Sequence, residues 1–258
     1  MFTEVRCATR PGSARPNEDL AVAGPSWAVV LDGATAAAGA GGCAHDVAWL
    51  VGRLGGALAA GLAAGGRSSL ADILAEAISV TMGAHSGTCD LGDPDSPSTT
   101  VAMMRLGGGV VEYLVLGDSP VVLARADGGA EVIGDDRVER LPGGRPYSPE
   151  LVRRMRNAEG GFWVASTRPE AAGQAVSGVV EASGLLGAGL FTDGVTRLVE
   201  WYGWSWEAVL AELVGGGPGA VISAVRGLEV ERGAVRGKPH DDATALWAAF
   251  PSPPRPPA

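Results

Sequence analysis

Five apolar residues, Trp27 to Leu31, run straight into Asp32-Gly33, and the chain repeats the pattern at YLVLGDS (113–119) and GLFTDGV (189–195). Around these junctions the hydrophobic positions fall into blocks. Residues 1–8, 20–23 and 27–31 read as strands, because each is short, alternating or Val-rich and bounded by Pro-Gly, Asn or Gly-Pro. Two amphipathic helices follow. Val47, Leu50, Val51, Leu54 and Leu58 keep the i, i+3, i+4, i+7 spacing of one apolar stripe. Leu70, Ile73, Leu74, Ala77 and Ile78 form a second stripe behind the cap Ser69, with Asp72 in the first turn.

From Ser98 the period falls to two. Thr99–Leu106 and Val110–Leu116 flank Gly107-Gly108-Gly109, and Val121–Ala126 and Ala130–Ile133 flank Asp127-Gly128-Gly129, which predicts an antiparallel meander with two hairpin turns. Ser148-Pro149-Glu150 supplies a cap, a first-turn proline and an acid, opening a short helix to about Asn157. Residues 158–188 are Gly- and Ala-rich with weak periodicity and receive no assignment. After a strand ending at Thr192, Trp206, Val209, Leu210, Leu213 and Val214 stripe a helix behind Ser205, and Val221, Ile222, Val225 and Leu228 stripe another behind Pro218. The strand Ala243–Phe250 precedes a Pro-rich tail, residues 251–258, expected to fray. Strands grouped with strands and helices in pairs argue for helices layered on antiparallel sheets rather than a βαβ alternation. No repeat or composition shift divides residues 1–250.

With 258 residues, 46% of them hydrophobic, the chain can bury a continuous core. A formal charge of -9 argues against nucleic acid or an anionic membrane as the main partner and favours divalent cations. Cys7, Cys43 and Cys89 are odd in number and far apart, with no C-x-x-C and no histidine at zinc-finger spacing, so no disulfide framework is expected. The N-terminus lacks a signal-peptide pattern, and the uncharged stretch Leu54–Gly66 is too short and Gly-rich to span a bilayer, which makes the cytosol the expected compartment.

Carboxylates fall at five expected strand ends: Glu18-Asp19, Asp32-Gly33, Asp118-Ser119, Asp193-Gly194 and Asp241-Asp242. At the rim of a sheet, an unpaired carboxylate carries a desolvation penalty. Hard divalent cations compensate it, because they take all-oxygen shells of carboxylates, carbonyls and water. A glycine after the aspartate is expected to give a sharp turn at positive φ and to bring its own carbonyl close to an ion. Any single Asp-Gly, such as Asp127-Gly128, reads equally as a plain turn. Apolar strands that each deliver an acid to one end read as a site.

Taken in order, ARPNEDL, VVLDGAT, SPSTTVAMM, VLGDSPVVL, LFTDGVTRLV and HDDATALW resemble the motifs of bacterial metal-dependent serine/threonine protein phosphatases of the type 2C class, over roughly residues 3–250 with 140–188 poorly matched. That resemblance implies an α+β fold: a four-layer αββα sandwich of two antiparallel sheets flanked by pairs of helices, with metals at one end between the sheets. It implies that Asp32 bridges two Mn2+ or Mg2+ ions and that the Gly33 carbonyl serves one of them. Glu18 would hold the second ion, Asp193 and Asp241 would complete the shell of the first, and Asp118 with Asp193 would serve a looser third. Asp19 and Asp242 would support these ligands from behind, and Ser98 and Thr99 either support the site or are plain strand residues.

The resemblance also implies a phosphate-gripping arginine. Arg15 is the candidate, although it lies three residues before Glu18 rather than the four usual in the family, with Pro16 between. Ala34 stands where animal relatives place a general-acid histidine; His240 could take that role or be structural. The family's flap-side Gly-Asp is not found in 140–188, and Gly134-Asp135-Asp136-Arg137 lies earlier. Trp201, Trp204 and Trp206 form either a docking surface or the packing of the helix that follows.

The implied reaction is hydrolysis of phosphoserine or phosphothreonine on a phosphorylated protein by a metal-bridging hydroxide, in keeping with the lack of a C-x5-R or G-x-S-x-G nucleophile motif. A monomer is expected. Two alternatives stay open: a catalytically weak or inactive relative serving as a regulatory binding module, and a small-molecule phosphate hydrolase on the same scaffold.

Overall fold

The computed structural model describes residues 1–34, 43–85 and 87–251. Thr35 of the second motif and the tail beyond Pro251 lie outside the described residues. One sheet has the strand order β1 (Glu4–Arg10), β10 (Ala243–Ala249), β9 (Leu185–Phe191), β6 (Val121–Arg125), β7 (Ala130–Ile133). The other runs β2 (Asp19–Ala23), β3 (Trp27–Ala34), β4 (Ser98–Gly107), β5 (Val110–Leu116), β8 (Val176–Glu181). Every pairing in both sheets is antiparallel.

Helices α1 (Val47–Ala64) and α2 (Leu70–His85) cover the second sheet. The first is covered by α4 (Asp193–Glu200), α5 (Trp206–Gly215) and α6 (Pro218–Arg232). The expected αββα sandwich is the fold observed, with one helix more than a pair on this side. Helix α3 (Pro149–Met155) packs instead on a satellite cluster of Leu141, Phe162 and Val164. By length and composition α1 could cross a membrane, but Val51, Leu54 and Leu58 are buried in one cluster with β3 and α2.

The caps read from the sequence form hydrogen bonds. Ser148 Oγ accepts the Leu151 N–H (3.2 Å), and Ser205 Oγ accepts that of Ala208 (3.2 Å). Ser69 and Asp72 satisfy one another's N–H groups reciprocally, as in a capping box.

β3 explains the opening pattern. Val29 and Leu31 face the α1/α2 layer, while Ala28 and Val30 face the opposite sheet, so the strand is apolar on both sides and shows no polar alternation. Asp32 keeps the parity of Ala28 and Val30 and therefore stands at the end of the layer between the sheets. The same parity places Thr192 after Leu190, Thr244 before Leu246 and Ser119 before Val121 at that end. Four strands from two sheets thus finish their inward faces on polar groups in one place.

Three expectations are corrected. The two hairpins do not form one meander: β4–β5 belongs to one sheet and β6–β7 to the other. β5 pairs with β8, and the chain crosses between sheets through Gly117-Asp118-Ser119-Pro120, with Gly117 at φ 85. Residues 158–188, left unassigned, contain a 3-10 turn (Pro169–Gln174), the edge strand β8 and the start of β9. The end of β9 was expected at Thr192, but its start hid because Gly187 and Gly189 blank its pattern; a Cβ on them would meet Ala248 O and the Phe191 ring.

Gly128 of the Asp127-Gly128 hairpin turn has positive φ (88), but Asp32-Gly33 and Asp193-Gly194 are not positive-φ turns. Gly33 lies within β3, and Asp193-Gly194 opens α4, a helix absent from the sequence reading. Both glycines serve close approach instead: a Cβ on Gly33 would come 2.5 Å from Glu18 O, and one on Gly194 2.0 Å from Asp242 O. Because backbone cannot yield as a side-chain tip can, Gly194→Ala should destabilise the fold by about 1–3 kcal/mol. Urea unfolding of the two proteins measures this, and an unchanged midpoint would refute it.

Candidate metal centre

Cross-strand register sets the first carboxylates. Asp32 pairs with Asp19 on β2 and with Thr100 on β4, so two acids and a hydroxyl lie side by side. Thr99 Oγ1 donates to the Asp32 carbonyl (2.8 Å), fixing the strand end, and the Asp193 N–H donates to Asp32 Oδ2 (3.1 Å). Asp193 is the first residue of α4, so that bond carries the positive end of the helix onto Asp32. Asp19 is held by two hydroxyls, Thr192 Oγ1 and Thr244 Oγ1, each donating to Oδ2 at 2.8 Å. Its Oδ1 is buried with no hydrogen-bond partner.

A cavity of about 300 Å³ is lined by Asp32, Gly33, Asp118, Asp193 and Asp241 together with Thr100 and Lys238. Glu18 stands at its back through the backbone, since the Gly33 N–H donates to the Glu18 carbonyl (3.0 Å). Arg15, exposed, and Glu18 line an adjoining cleft of about 460 Å³ that shares Asp241 and Lys238 with the first. The structure therefore brings together Asp32, Gly33, Asp118, Asp193 and Asp241, sets Asp19 and Thr99 directly behind Asp32, and leaves Arg15 on the rim next door. Asp242 braces the loop: it accepts the N–H groups of Gly12 (2.7 Å) and Glu18 (2.6 Å). Ser98 is wholly buried with its hydroxyl unpartnered and touches no carboxylate by hydrogen bond.

Electrostatics follow from burial. Desolvation, reinforced by Asp193, Asp19 and Asp118, pushes the Asp32 carboxyl well above the ordinary range. Asp193 is pushed up to about 8 by desolvation and by Asp118 and Asp241, and Asp19 to about 7 by desolvation, against the two threonine bonds. Asp118 is raised by burial, with Arg145 (3.6 Å) partly offsetting it. Asp241 has cations beside it: Arg197 Nη2 donates to Oδ2 and Lys238 Nζ to Oδ1, both at 3.0 Å.

Several of these partners escaped sequence reading. Arg197, on the unrecognised α4, is buried and bonds Glu229 on α6 (2.6 Å) as well as Asp241. Helical spacing, four residues after Asp193, was the available signal. Glu229 also takes Arg226 (2.8 Å) and His240 Nδ1 (2.6 Å), so His240, on the wall of the adjoining cleft, is tied to a buried structural carboxylate. Thr192 and Thr244 were visible as inward positions once strand parity was known. Asp135, of the Gly-Asp pair noted before the flap region, accepts the Gly117 N–H (3.2 Å) and so supports the loop bearing Asp118. Trp201, Trp204 and Trp206 pack on the α4–α6 cluster, and Arg197 stacks 4.3 Å from the Trp201 ring centre.

An all-oxygen, carboxylate-rich cavity with an orphaned buried oxygen and too little positive charge fits a hard divalent cation, Mn2+ or Mg2+, rather than a soft one. A sandwich of two antiparallel sheets that carries such a cavity between its strand ends defines a class of metal-dependent phosphatase. The family model for protein phosphatase 2C matches residues 15–215, and the chain belongs to that family. Among solved structures, the Mycobacterium tuberculosis serine/threonine phosphatase PstP/Ppp is similar at 20% identity and a TM-score of 0.61, over 97% of this chain and 99% of that one. Serine/threonine phosphatase Stp1 from Staphylococcus aureus is similar at 16% identity and a TM-score of 0.63, over 98% and 96%. The catalytic domain of PstP in complex with two manganese ions is similar at 20% identity and a TM-score of 0.58, over 95% and 97%. A search of curated proteins finds no match to the sequence.

The raised carboxyls bind protons more tightly in the folded than in the unfolded chain. The stability they contribute is complete below the unfolded value of 3.8 and is lost as pH rises through about 7 for Asp19 and about 8 for Asp193. Metal-free protein should therefore melt at a lower temperature at about pH 9 than at about pH 6, and saturating Mn2+ should raise the melting temperature more at the higher pH. Differential scanning fluorimetry reads both. A metal-free melting temperature that climbs over this range would contradict the cluster's protonation.

Proposed function

We propose that the chain hydrolyses phosphoserine and phosphothreonine on proteins at a binuclear Mn2+ or Mg2+ centre held by Asp32, Asp193, Asp241, Glu18 and the Gly33 carbonyl, with Asp118 serving a looser ion. The observation that carries this reading is the meeting of Asp32, Asp118, Asp193 and Asp241 in one cavity at the open end between the sheets. When bound, the metals supply an activated water for in-line attack and neutralise charge on the phosphoryl oxygens.

The chain's own groups do the orienting. Thr99 and the Asp193 N–H fix Asp32 from two sides, and the Thr192 and Thr244 hydroxyls turn Asp19 toward it. The pairing of Gly33 N–H with the Glu18 carbonyl keeps both residues at the same edge. Arg197, buried beneath Asp241, holds that carboxylate in place through one oxygen. Arg15, on the wall of the adjoining cleft, is placed to meet a phosphoryl group that enters from solvent. The substrate's protein portion would lie over that cleft.

A second reading keeps the fold as a regulatory binding module without turnover. It draws on Lys238, the single lysine, whose ammonium sits against Asp241 where cation charge is wanted. Hydrolysis of p-nitrophenyl phosphate with Mn2+ decides between the two, the catalytic reading requiring turnover that Asp193→Asn removes. Turnover of phosphopeptides against small phosphate esters then tests the protein substrate. Asp32→Ala and Asp241→Ala should each lower metal-dependent activity on the order of a hundredfold or more while circular dichroism stays native. Full turnover in either variant would refute the mechanism.

A further inference from the structure

Beyond the carboxylates, the structure gathers a donor set of opposite character. Cys43 and His45 precede α1, His85 is the last residue of α2, and Cys89 lies in the turn that follows. One donor atom from each of the four lies within 4.8 Å of all the others. Cys43 Sγ is 3.4 Å from His85 Nδ1, 3.8 Å from His45 Nδ1 and 3.2 Å from Cys89 Sγ, and His45 Nδ1 is 3.3 Å from Cys89 Sγ. Tetrahedral bonds of about 2.0–2.3 Å to nitrogen and sulfur imply ligand-to-ligand edges of roughly 3.3–3.8 Å. The two sulfurs are not bonded; both cysteines are free thiols.

The surroundings are those of a built site. Ala44 N–H donates to Cys89 Sγ (3.3 Å) and His45 N–H to Cys43 Sγ (3.4 Å), the kind of backbone support that thiolate ligands use. The His45 ring stacks on Trp49 (3.8 Å between centres), and Trp49 meets the His85 ring edge-on (4.5 Å), so an aromatic lid sits on both imidazoles. His85 is 1% exposed. Two histidines and two cysteines so close together, at the junction of two helices, have no catalytic partner within the carboxylate cavity.

We propose that Cys43, His45, His85 and Cys89 bind one zinc ion as a closed tetrahedral Cys2His2 site. Two sulfurs and two imidazole nitrogens select Zn2+ over the hard cations suited to the carboxylates. On binding, the two thiol protons leave to solvent and both imidazoles coordinate through Nδ1 in neutral form. The ion would clip the start of α1 to the end of α2. It would also anchor the chain nine positions after Ala34, where β3 has just delivered Asp32 and Gly33. Local motifs do not reveal this donor set, because it comes as C-x-H and H-x3-C pairs forty residues apart that the packing of α1 on α2 brings together.

The full chain, purified in reducing, chelator-free buffer with added ZnCl2 and then desalted, should retain about one zinc per chain by atomic emission. Replacement with Co2+ should give the sulfur-to-metal charge-transfer and intense visible bands of tetrahedral thiolate cobalt. Cys43→Ser/Cys89→Ser should lose both signals, the milder His45→Ala should weaken zinc retention at least tenfold, and Asp193→Asn should keep them in full. A zinc chelator should lower the melting temperature of the parent protein by roughly 5–10 °C and leave that of the double variant unmoved. Zinc content well below one per chain in the parent, stoichiometry unchanged in the double variant, or loss of zinc in Asp193→Asn alone would overturn the site.

Discussion

Burial of carboxylate at the open end of the layer between the sheets is the constraint on which the rest of the structure turns. Asp32, Asp193 and Asp118 are half-buried at the mouth of that layer, and the first consequence is that desolvation raises the carboxyl of each above its usual range. Hydroxyls and one helix N-terminus orient these groups but bring no full positive charge to them. Only Asp241, with Arg197 and Lys238, is matched by cations of the chain, and Asp118 is partly matched by Arg145. A site that orients acids without neutralising them is arranged for an ion from outside.

The geometry that produces this site is side-chain parity carried across two sheets. Along β3, β6, β9 and β10 the inward positions are apolar until the last, where Asp32, Ser119, Thr192 and Thr244 occur. Each strand continues its own alternation, and the antiparallel register between neighbours sets the ends level. What completes the convergence is backbone contact. With hydrogen at Gly33 the Glu18 carbonyl approaches β3, and with hydrogen at Gly194 the Asp242 carbonyl approaches α4, where any Cβ would intrude. The glycines after the two aspartates matter because chain meets chain there, and they matter without any unusual torsion.

Most strands, every α-helix but α4 and the caps Ser69, Ser148 and Ser205 were legible because each depends on neighbours within one turn or one hairpin. The acids of the site were legible as a set because apolar runs ended on them. What escaped depends on contacts distant in sequence. The division of the two hairpins between sheets is decided by β8 pairing with β5, more than sixty positions on from β5. The start of β9 was blanked by glycines that only close packing on Trp247 and Phe191 explains. α4 begins directly on a strand end with Asp-Gly, which local rules assign to a turn. Thr192, Thr244 and Arg197 are ordinary residues in the sequence and become part of the site only through the acids that face them.

The same reasoning separates the two donor sets by hardness as well as by place. Oxygen ligands at the end of β3 discriminate weakly among hard divalent ions, and a softer, tighter-binding ion such as Zn2+ would compete for them. A sulfur and nitrogen site near the start of α1 offers that ion a better match and would draw it away from the carboxylates. The two sites are near one another in sequence, Cys43 lying nine positions after Ala34, so occupation of the softer one would fix the start of α1 close in sequence to the end of β3. Anchoring a strand end whose carboxylate must hold position without a neutralising partner is a use for such a clip that follows from the burial of Asp32 itself.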